Sequence, residues 1–525
     1  MEKKLALPLL AALLLPLFGA TLAHAGQGGS KIVWPTLKYS FDRAGYVDIS
    51  RLASKPFHYT DYDILWTFKT GLCVASSAAL ADLNNDGKLE AVFSSCDGFL
   101  YAVDASSGTL LWKRETGGGL HADPTIWDIN GDDKPEIMAT GSTGSLYVFS
   151  SDGKLLWKHE GSFHGNPVVL HFDTRGSYEV AIGNMKGEIY VFTPDGEIRY
   201  LIKVGDLPVY HLAVRDVDGD GLDDIACVEG TYFHIISYKG SKPTVYTLNL
   251  GRILTGAPAL YDLYGNETIE AIIVSRDGHV YVVNPEKGTF VSKKLPGVED
   301  ATSTPSVGDV NMDGKPEIVV ATMEGLFILD TGLNIVREYP DLQVFLSSSI
   351  IADIDGDGEN EILVGTYQGD IVAIKPTIPS PDESEFYIYT TNAPVVATAS
   401  IADVDGDGKP EILIGSRDYN MYCFKGIEET APQPAQTTTP QQTPTTTNTT
   451  TTAITQKTNT TRTSRTITSS TTSRATSPAE TSTTRTIAMP IGAGKYKPTI
   501  NYKLVAAGII AAIIIIAITY QLTRK

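Results

Sequence analysis

The sequence predicts an all-β chain built as a closed ring of eight four-stranded antiparallel units, and three observations carry that expectation. The first is a nine-residue acidic pattern, complete at 403–411 as Asp-Val-Asp-Gly-Asp-Gly-Lys-Pro-Glu. It starts eight times, at Asp82, Asp128, Asp173, Asp216, Asp262, Asp309, Asp353 and Asp403. The starts lie 46, 45, 43, 46, 47, 44 and 50 residues apart, a period that marks a repeat architecture. The second is what lies between the starts. In the first unit 77–81, 89–93, 99–103 and 110–113 read as strands, with Asp97-Gly98 and Ser107-Gly108 as hairpin turns. Four such strands per unit, repeated, make β-propeller blades. The third is an aromatic register. Trp66, Trp112, Trp157, Tyr200, Tyr246 and Tyr387 each lie sixteen residues before the start of an acidic pattern; the copies at Asp309 and Asp353 depart from this. Trp66 therefore belongs to a fourth strand, 63–68, that precedes any first strand. The last unit ends after Tyr422-Cys423-Phe424 without a fourth strand, so the N-terminal strand is expected to complete the eighth blade and close the ring. An open solenoid would instead need polar caps.

In chain order, residues 1–25 read as a secretory signal, with Lys3 and Lys4 before an apolar run and Ala23-His24-Ala25 as a small-x-small cleavage site. Residues 26–60 fall outside the repeat, yet Trp34, Tyr39, Phe41, Tyr46 and Phe57 make them too aromatic for a tail, so they are expected to pack on the propeller. The propeller is assigned to 61–426. Export permits a disulfide, and Cys73 and Cys96 share one repeat; Cys227 and Cys423 lie four repeats apart and read as buried thiols. The stretch 375–385, with Pro376, Pro379 and Pro381, reads as an insertion between the seventh and eighth blades, either part of a binding rim or a tolerated surface loop. Residues 427–500 are rich in Thr, Ser and Pro and are read as an unfolded stalk, either glycosylated or a bare linker. Asn448 and Asn459 there, and Asn266 in the propeller, head N-glycosylation sequons. Within 501–525, the nineteen apolar residues 504–522 precede Arg524 and Lys525, the pattern of a single membrane span with the propeller outside.

Each intact acidic pattern alternates its carboxylates so that one tight loop turns them inward, with glycine at the bend. Side chains this close repel one another unless a cation sits among them, and oxygen ligands at this spacing suit Ca²⁺ in a structural role. Four sets are strong: Asp82, Asn84, Asp86 and Glu90; Asp309, Asn311, Asp313 and Glu317; Asp353, Asp355, Asp357 and Glu361; and Asp403, Asp405, Asp407 and Glu411. Asp216, Asp218, Asp220 and Asp224 end in a shorter acid, and Asp128, Asn130, Asp132 and Glu136 carry Asp133 where glycine is expected. The copies at Asp173 and Asp262 have lost their second ligand, to Arg175 and Tyr264, and read as plain turns. Much of the net charge of −19 belongs to these loops, and there is no basic strip for nucleic acid.

The Asp-x-Asp-x-Asp-Gly-x-x-Glu loop, with the strand endings at 361–366 and 411–416, resembles the FG-GAP repeats of integrin-alpha-like propellers. The stretches 108–112 and 153–157 resemble the outer-strand motif of PQQ-like propellers. The resemblance implies the ring and its calcium loops, and it admits several functions, because adhesion proteins, lyases, quinone-dependent dehydrogenases and assembly factors share such rings. The order of propeller, stalk and anchor is similar to that of prokaryotic surface proteins. No Ser-His-Asp arrangement, nucleotide-binding glycine loop or haem motif is found. The expectation is therefore a non-enzymatic binding or adhesion module for a surface glycan or extracellular protein, with a polysaccharide-acting or quinone-dependent enzyme as the alternative. The candidate contact rim is His121, Asp123, His164, Asn166 and His211, which precede successive acidic loops.

Overall fold

The computed structural model describes residues 32–36, 38, 40–117 and 122–428. The expected signal segment, stalk, membrane span, His121, Asn448 and Asn459 lie outside them. Among the described residues no helix is long and apolar enough to cross a membrane.

The chain forms an eight-bladed β-propeller of antiparallel blades. Short first strands, such as Ala79–Ala81 of blade 1 and Ile350–Ala352 of blade 7, are buried throughout, as the inner wall of a ring requires. Second strands such as Glu90–Ser94 and Glu411–Gly415 are also buried on both faces. Outer strands show the alternation of a half-exposed edge, as in Leu110–Glu115 and Leu155–Glu160. Tyr59–Lys69 pairs with Asn420–Glu428 and completes blade 8, with Trp66 opposite Cys423. The ring is thereby closed by hydrogen bonds between its two ends.

The outer-strand tryptophans pin blade 8 to blade 1, blade 1 to blade 2 and blade 2 to blade 3. A Cβ on Gly108, Gly153 or Gly196 would stand 2.8, 2.8 or 2.6 Å from the rings of Trp66, Trp112 and Trp157 respectively. Each of these glycines has positive φ, so both the turn and the close ring contact require glycine. Trp66 Nε1 donates to Ala105 O and Trp157 Nε1 to Pro194 O.

Two elements differ from expectation. Blade 1 has five strands, because Ile32–Trp34 pairs with Ala79–Ala81 along the inner edge. The proline-rich insertion lies inside blade 7, not after it. It joins Asp370–Ile374 to Glu385–Thr390 and includes the helical turn Pro381–Ser384. Tyr387 pairs with Val372, which fixes the fourth strand of blade 7 after the insertion.

The N-terminal segment runs around the inner wall of the ring. Trp34 lies opposite Leu80 of blade 1. Inner-strand amides of Ile126, Val214, Leu260, Val307 and Ile351 then donate to the carbonyls of Pro35, Phe41, Asp42, Ala44 and Gly45. The segment thus visits blades 1, 2, 4, 5, 6 and 7 in order, and these inner-strand donors, which would otherwise face the channel unpaired, are satisfied. Trp34, Lys38 and Arg43 are fully buried there.

Candidate metal loops and the opposite loop face

The acidic loops share one geometry. The first Asp accepts backbone N–H groups from across the turn: Asp403 from Gly406 and Gly408 at 2.9 and 3.0 Å, Asp82 from Asp86 and Gly87 at 3.0 and 2.8 Å. The closing acid accepts the N–H of the residue after that Asp through one oxygen, as Glu90 does from Leu83, Glu317 from Val310 and Glu411 from Val404. Its second oxygen faces the loop interior. Burial, and then the neighbouring acids, push the carboxyls of Glu90, Glu136 and Glu317 up to about 7. Those of Glu361 and Glu411 rise to about 8 and that of Asp224 to about 6, burial again leading. A cation among these oxygens offsets both the burial and the repulsion.

What meets the inward oxygen divides the loops. In blades 1, 2 and 6 it is the amide of Asn84, Asn130 or Asn311, at 3.2, 2.7 and 2.8 Å. In blades 7 and 8 it is an ammonium. Lys375 Nζ lies 2.9 Å from Asp355 and 3.5 Å from Glu361, and it also pairs with Asp357. Lys425 Nζ lies 2.8 Å from Asp407 and 3.9 Å from Glu411, and pairs with Asp405. In blade 4 Lys239 Nζ lies 3.0 Å from Asp220 and pairs with Asp218. The worn loop of blade 3 starts at His171, not at Asp173 as its spacing suggested, because Glu179 accepts from Phe172 N–H; Asp173 holds the second position, and Arg199 lies against Glu179 and 3.6 Å from Asp173.

Carboxylate oxygens converge to within 4.8 Å of one another in three sets: Asp216, Asp218 and Asp224; Asp353, Asp355 and Asp357; and Asp403, Asp405 and Glu411. Such clusters can coordinate a divalent ion, Ca²⁺ included. Among the described residues no cationic side chain pairs with the loop acids of blades 1, 2 and 6, and the Asn amide meets the closing acid instead. In blades 4, 7 and 8 the oxygens converge on a lysine. Lysines 375 and 425 each lie 22 residues after the first Asp of their loop, and Lys239 lies 23 after Asp216, a spacing legible only once the repeats are aligned on strands.

The predicted rim residues fall at the opposite ends of the inner strands, and two of them hold the ring together. The amide of Ala257 donates to Thr304 Oγ1, that of Thr304 to Ser348 Oγ, that of Ser348 to Thr398 Oγ1, and that of Thr398 to Ser77 Oγ. Ser77 then donates to Asp123 Oδ1, and Asp123 to Asn166 Oδ1 at 3.0 Å. Asp123 and Asn166 are therefore buried members of a belt joining seven blades, not exposed ligand contacts. His211 stands where the belt is interrupted; its Nδ1 is buried without a partner, and burial, then Arg43, hold its pKa down to about 4. His164 is half-buried in the loop whose Gly165 lies against Tyr210 O, so the loops bearing His164 and His211 pack together.

This face also presents groups the sequence did not single out. Tyr210, Tyr367 and Tyr419 are exposed on its loops, as are Leu207 and Ile253. Cys73 and Cys96 are joined by a disulfide that ties two loops of blade 1 here, while Cys227 and Cys423 are free and buried. Glu324, in the turn between the second and third strands of blade 6, has Oε2 buried without a hydrogen-bond partner, and burial leads in raising its carboxyl. Asn266 is exposed in the acidic loop of blade 5.

Residues 105–204 match the family described as the lambda-carrageenase β-propeller domain. No curated protein matches the chain. Among solved structures, the fold is similar to a europium-containing methanol dehydrogenase, with a TM-score of 0.53 at 10% identity over 74% of this chain and 97% of that one. It is also similar to the quinohemoprotein alcohol dehydrogenase of Comamonas testosteroni, with a TM-score of 0.54 at 13% identity over 78% and 83% of the two chains. Saccharomyces cerevisiae Sqt1 gives 0.52 at 10% identity over 71% and 100%. At these identities the structures share a fold and no more. The integrin-type reading of the repeats stays a resemblance. The expectation that an enzyme is the less favoured reading is corrected: the family match falls on the propeller domain of an enzyme.

Proposed function

We propose that the chain is a polysaccharide-acting enzyme, exported by residues 1–25 and anchored by 501–525, that meets its polymer on the loop face opposite the acidic loops. The observation that carries this reading is the match of 105–204 to the propeller domain of a lambda-carrageenase. That stretch spans the outer strand of blade 1 and the whole of blades 2 and 3, and it brings His164 to this face, with Tyr210 and His211 on the loop that follows.

The chemistry of the face suits a sugar polymer. Tyrosine rings such as Tyr210, Tyr367 and Tyr419 offer flat apolar surface with a polar edge, which is what sugar rings stack on. Glu324 supplies a half-buried carboxyl that burial raises above the ordinary carboxylate range, a candidate for general acid or base work.

The test is turnover of neutral, uronate-containing and sulfated polysaccharides by the full-length protein in detergent, read as new reducing ends and as unsaturated uronate. Loss of turnover in Glu324→Gln and His164→Ala supports the reading. Binding without turnover of any polymer, or reduction of a dye with an alcohol and added quinone in its place, overturns it. Recovery of the full-length chain in the soluble fraction without detergent would remove the anchor.

A further inference from the structure

We propose that Lys239, Lys375 and Lys425 are the resident cations of blades 4, 7 and 8, so that these loops take no divalent ion and calcium binding is confined to the loops of blades 1, 2 and 6. The six intact acidic patterns are alike by sequence spacing alone; their interiors are not.

The direction in which a cation belongs is fixed by Glu361 and Glu411. Their side chains are 4% and 0% exposed, and Oε1 of each is buried with no hydrogen-bond partner. Each of these oxygens faces the lysine ammonium, at 3.5 and 3.9 Å, while the same ammonium pairs with two aspartates of the loop. The amino group thus stands among the oxygens that an incoming ion needs. Its stem is rooted at the end of the third strand, in Tyr232–Lys239 and Asn420–Glu428 and directly after Asp370–Ile374. An ion entering the loop must first displace the ammonium from its aspartates, because two like charges held there together repel.

The pattern within the chain follows the same logic. Where the second ligand is Asp218, Asp355 or Asp405, a lysine is present; where it is Asn84, Asn130 or Asn311, none is. Four carboxylates with one ammonium, or three carboxylates with an amide, leave the same net charge on the loop. Blade 3 is the extreme case. There Glu179 accepts from Phe172 N–H, so His171 stands at the first position, Asp173 at the second and Arg175 at the third, and Arg199 bridges Asp173 and Glu179; the second ligand is again an aspartate met by a chain cation.

The experiment is a metal count on the full-length protein in detergent, stripped with chelator and then equilibrated with calcium. The proposal expects about three calcium ions per chain and about six in the triple variant Lys239→Met, Lys375→Met, Lys425→Met. A wild-type count near six, a count of zero, or a folded triple variant with no gain overturns it. Paired substitutions in the wild-type background give a second reading that does not depend on the triple variant folding. Asp82→Asn with Asp86→Asn should lower the count by about one, and Asp355→Asn with Asp357→Asn should leave it unchanged. A loss on the blade 7 pair overturns the assignment.

Discussion

The two faces of the ring are built on opposite terms. On the acidic-loop face one turn recurs, its first Asp accepting the N–H five residues on in seven of the eight blades, and the N-terminal segment seals against it: Ser54 and Lys55 donate to Gly408 O, and Tyr59 donates to Asp355 O. On the other face the loops between blades differ in length and composition, and they leave Ile253 61%, Leu207 52% and Tyr210 45% exposed. Repetition marks where residues serve the ring, and irregularity marks where a rigid scaffold leaves them free for contact.

That contrast breaks first if the N-terminal segment is dispensable. Trp34→Ala removes a fully buried ring at the start of the path around the inner wall and should destabilise the propeller by about 3–5 kcal/mol, read as a fall in the melting temperature. An unchanged melt would mean that the segment merely lies against a ring that stands without it. Next in size is the gap in the belt. His211 is held neutral with a pKa of about 4, below the about 6.5 of a free histidine. The unfolded chain therefore binds more protons between these values, so stability is full above about pH 6.5 and falls as pH drops toward 4, by up to about 3 kcal/mol. His211→Gln should flatten that part of the melting-versus-pH curve. Gly108→Ala comes third. The added methyl meets the Trp66 ring at positive φ, and the expected loss is about 1–3 kcal/mol at the seam that closes the ring. Smallest in stability is Tyr210→Ala on the free face, within about 0.5 kcal/mol of wild type. It should nevertheless weaken retention on a polysaccharide column, and a large loss of melting temperature would show that this face is structural too.

Much of the ring was legible because it repeats. Eight acidic starts and the tryptophan register gave blade number and closure, since each is a local pattern that tertiary context only reinforces. The path of residues 32–47 around the inner wall was not legible, because its partners are main-chain amides of inner strands, which carry no residue signature. Asp123 and Asn166 were misread as ligand contacts for a related reason: a polar residue at the mouth of a channel looks the same in sequence whether it faces a ligand or the next blade's amide. The lysines in the acidic loops were missed because they sit two strands away from the loop they enter. The insertion was placed one strand too late because its prolines look like an inter-blade linker, although Tyr387 already marked a fourth strand after it.

The most direct test of the division between a structural face and a working face is polysaccharide turnover by Glu324→Gln, measured beside its melting temperature. The account predicts turnover reduced by about 100-fold or more with the melt unchanged. Full turnover in the variant, or a loss of turnover that only tracks a loss of fold, would contradict it.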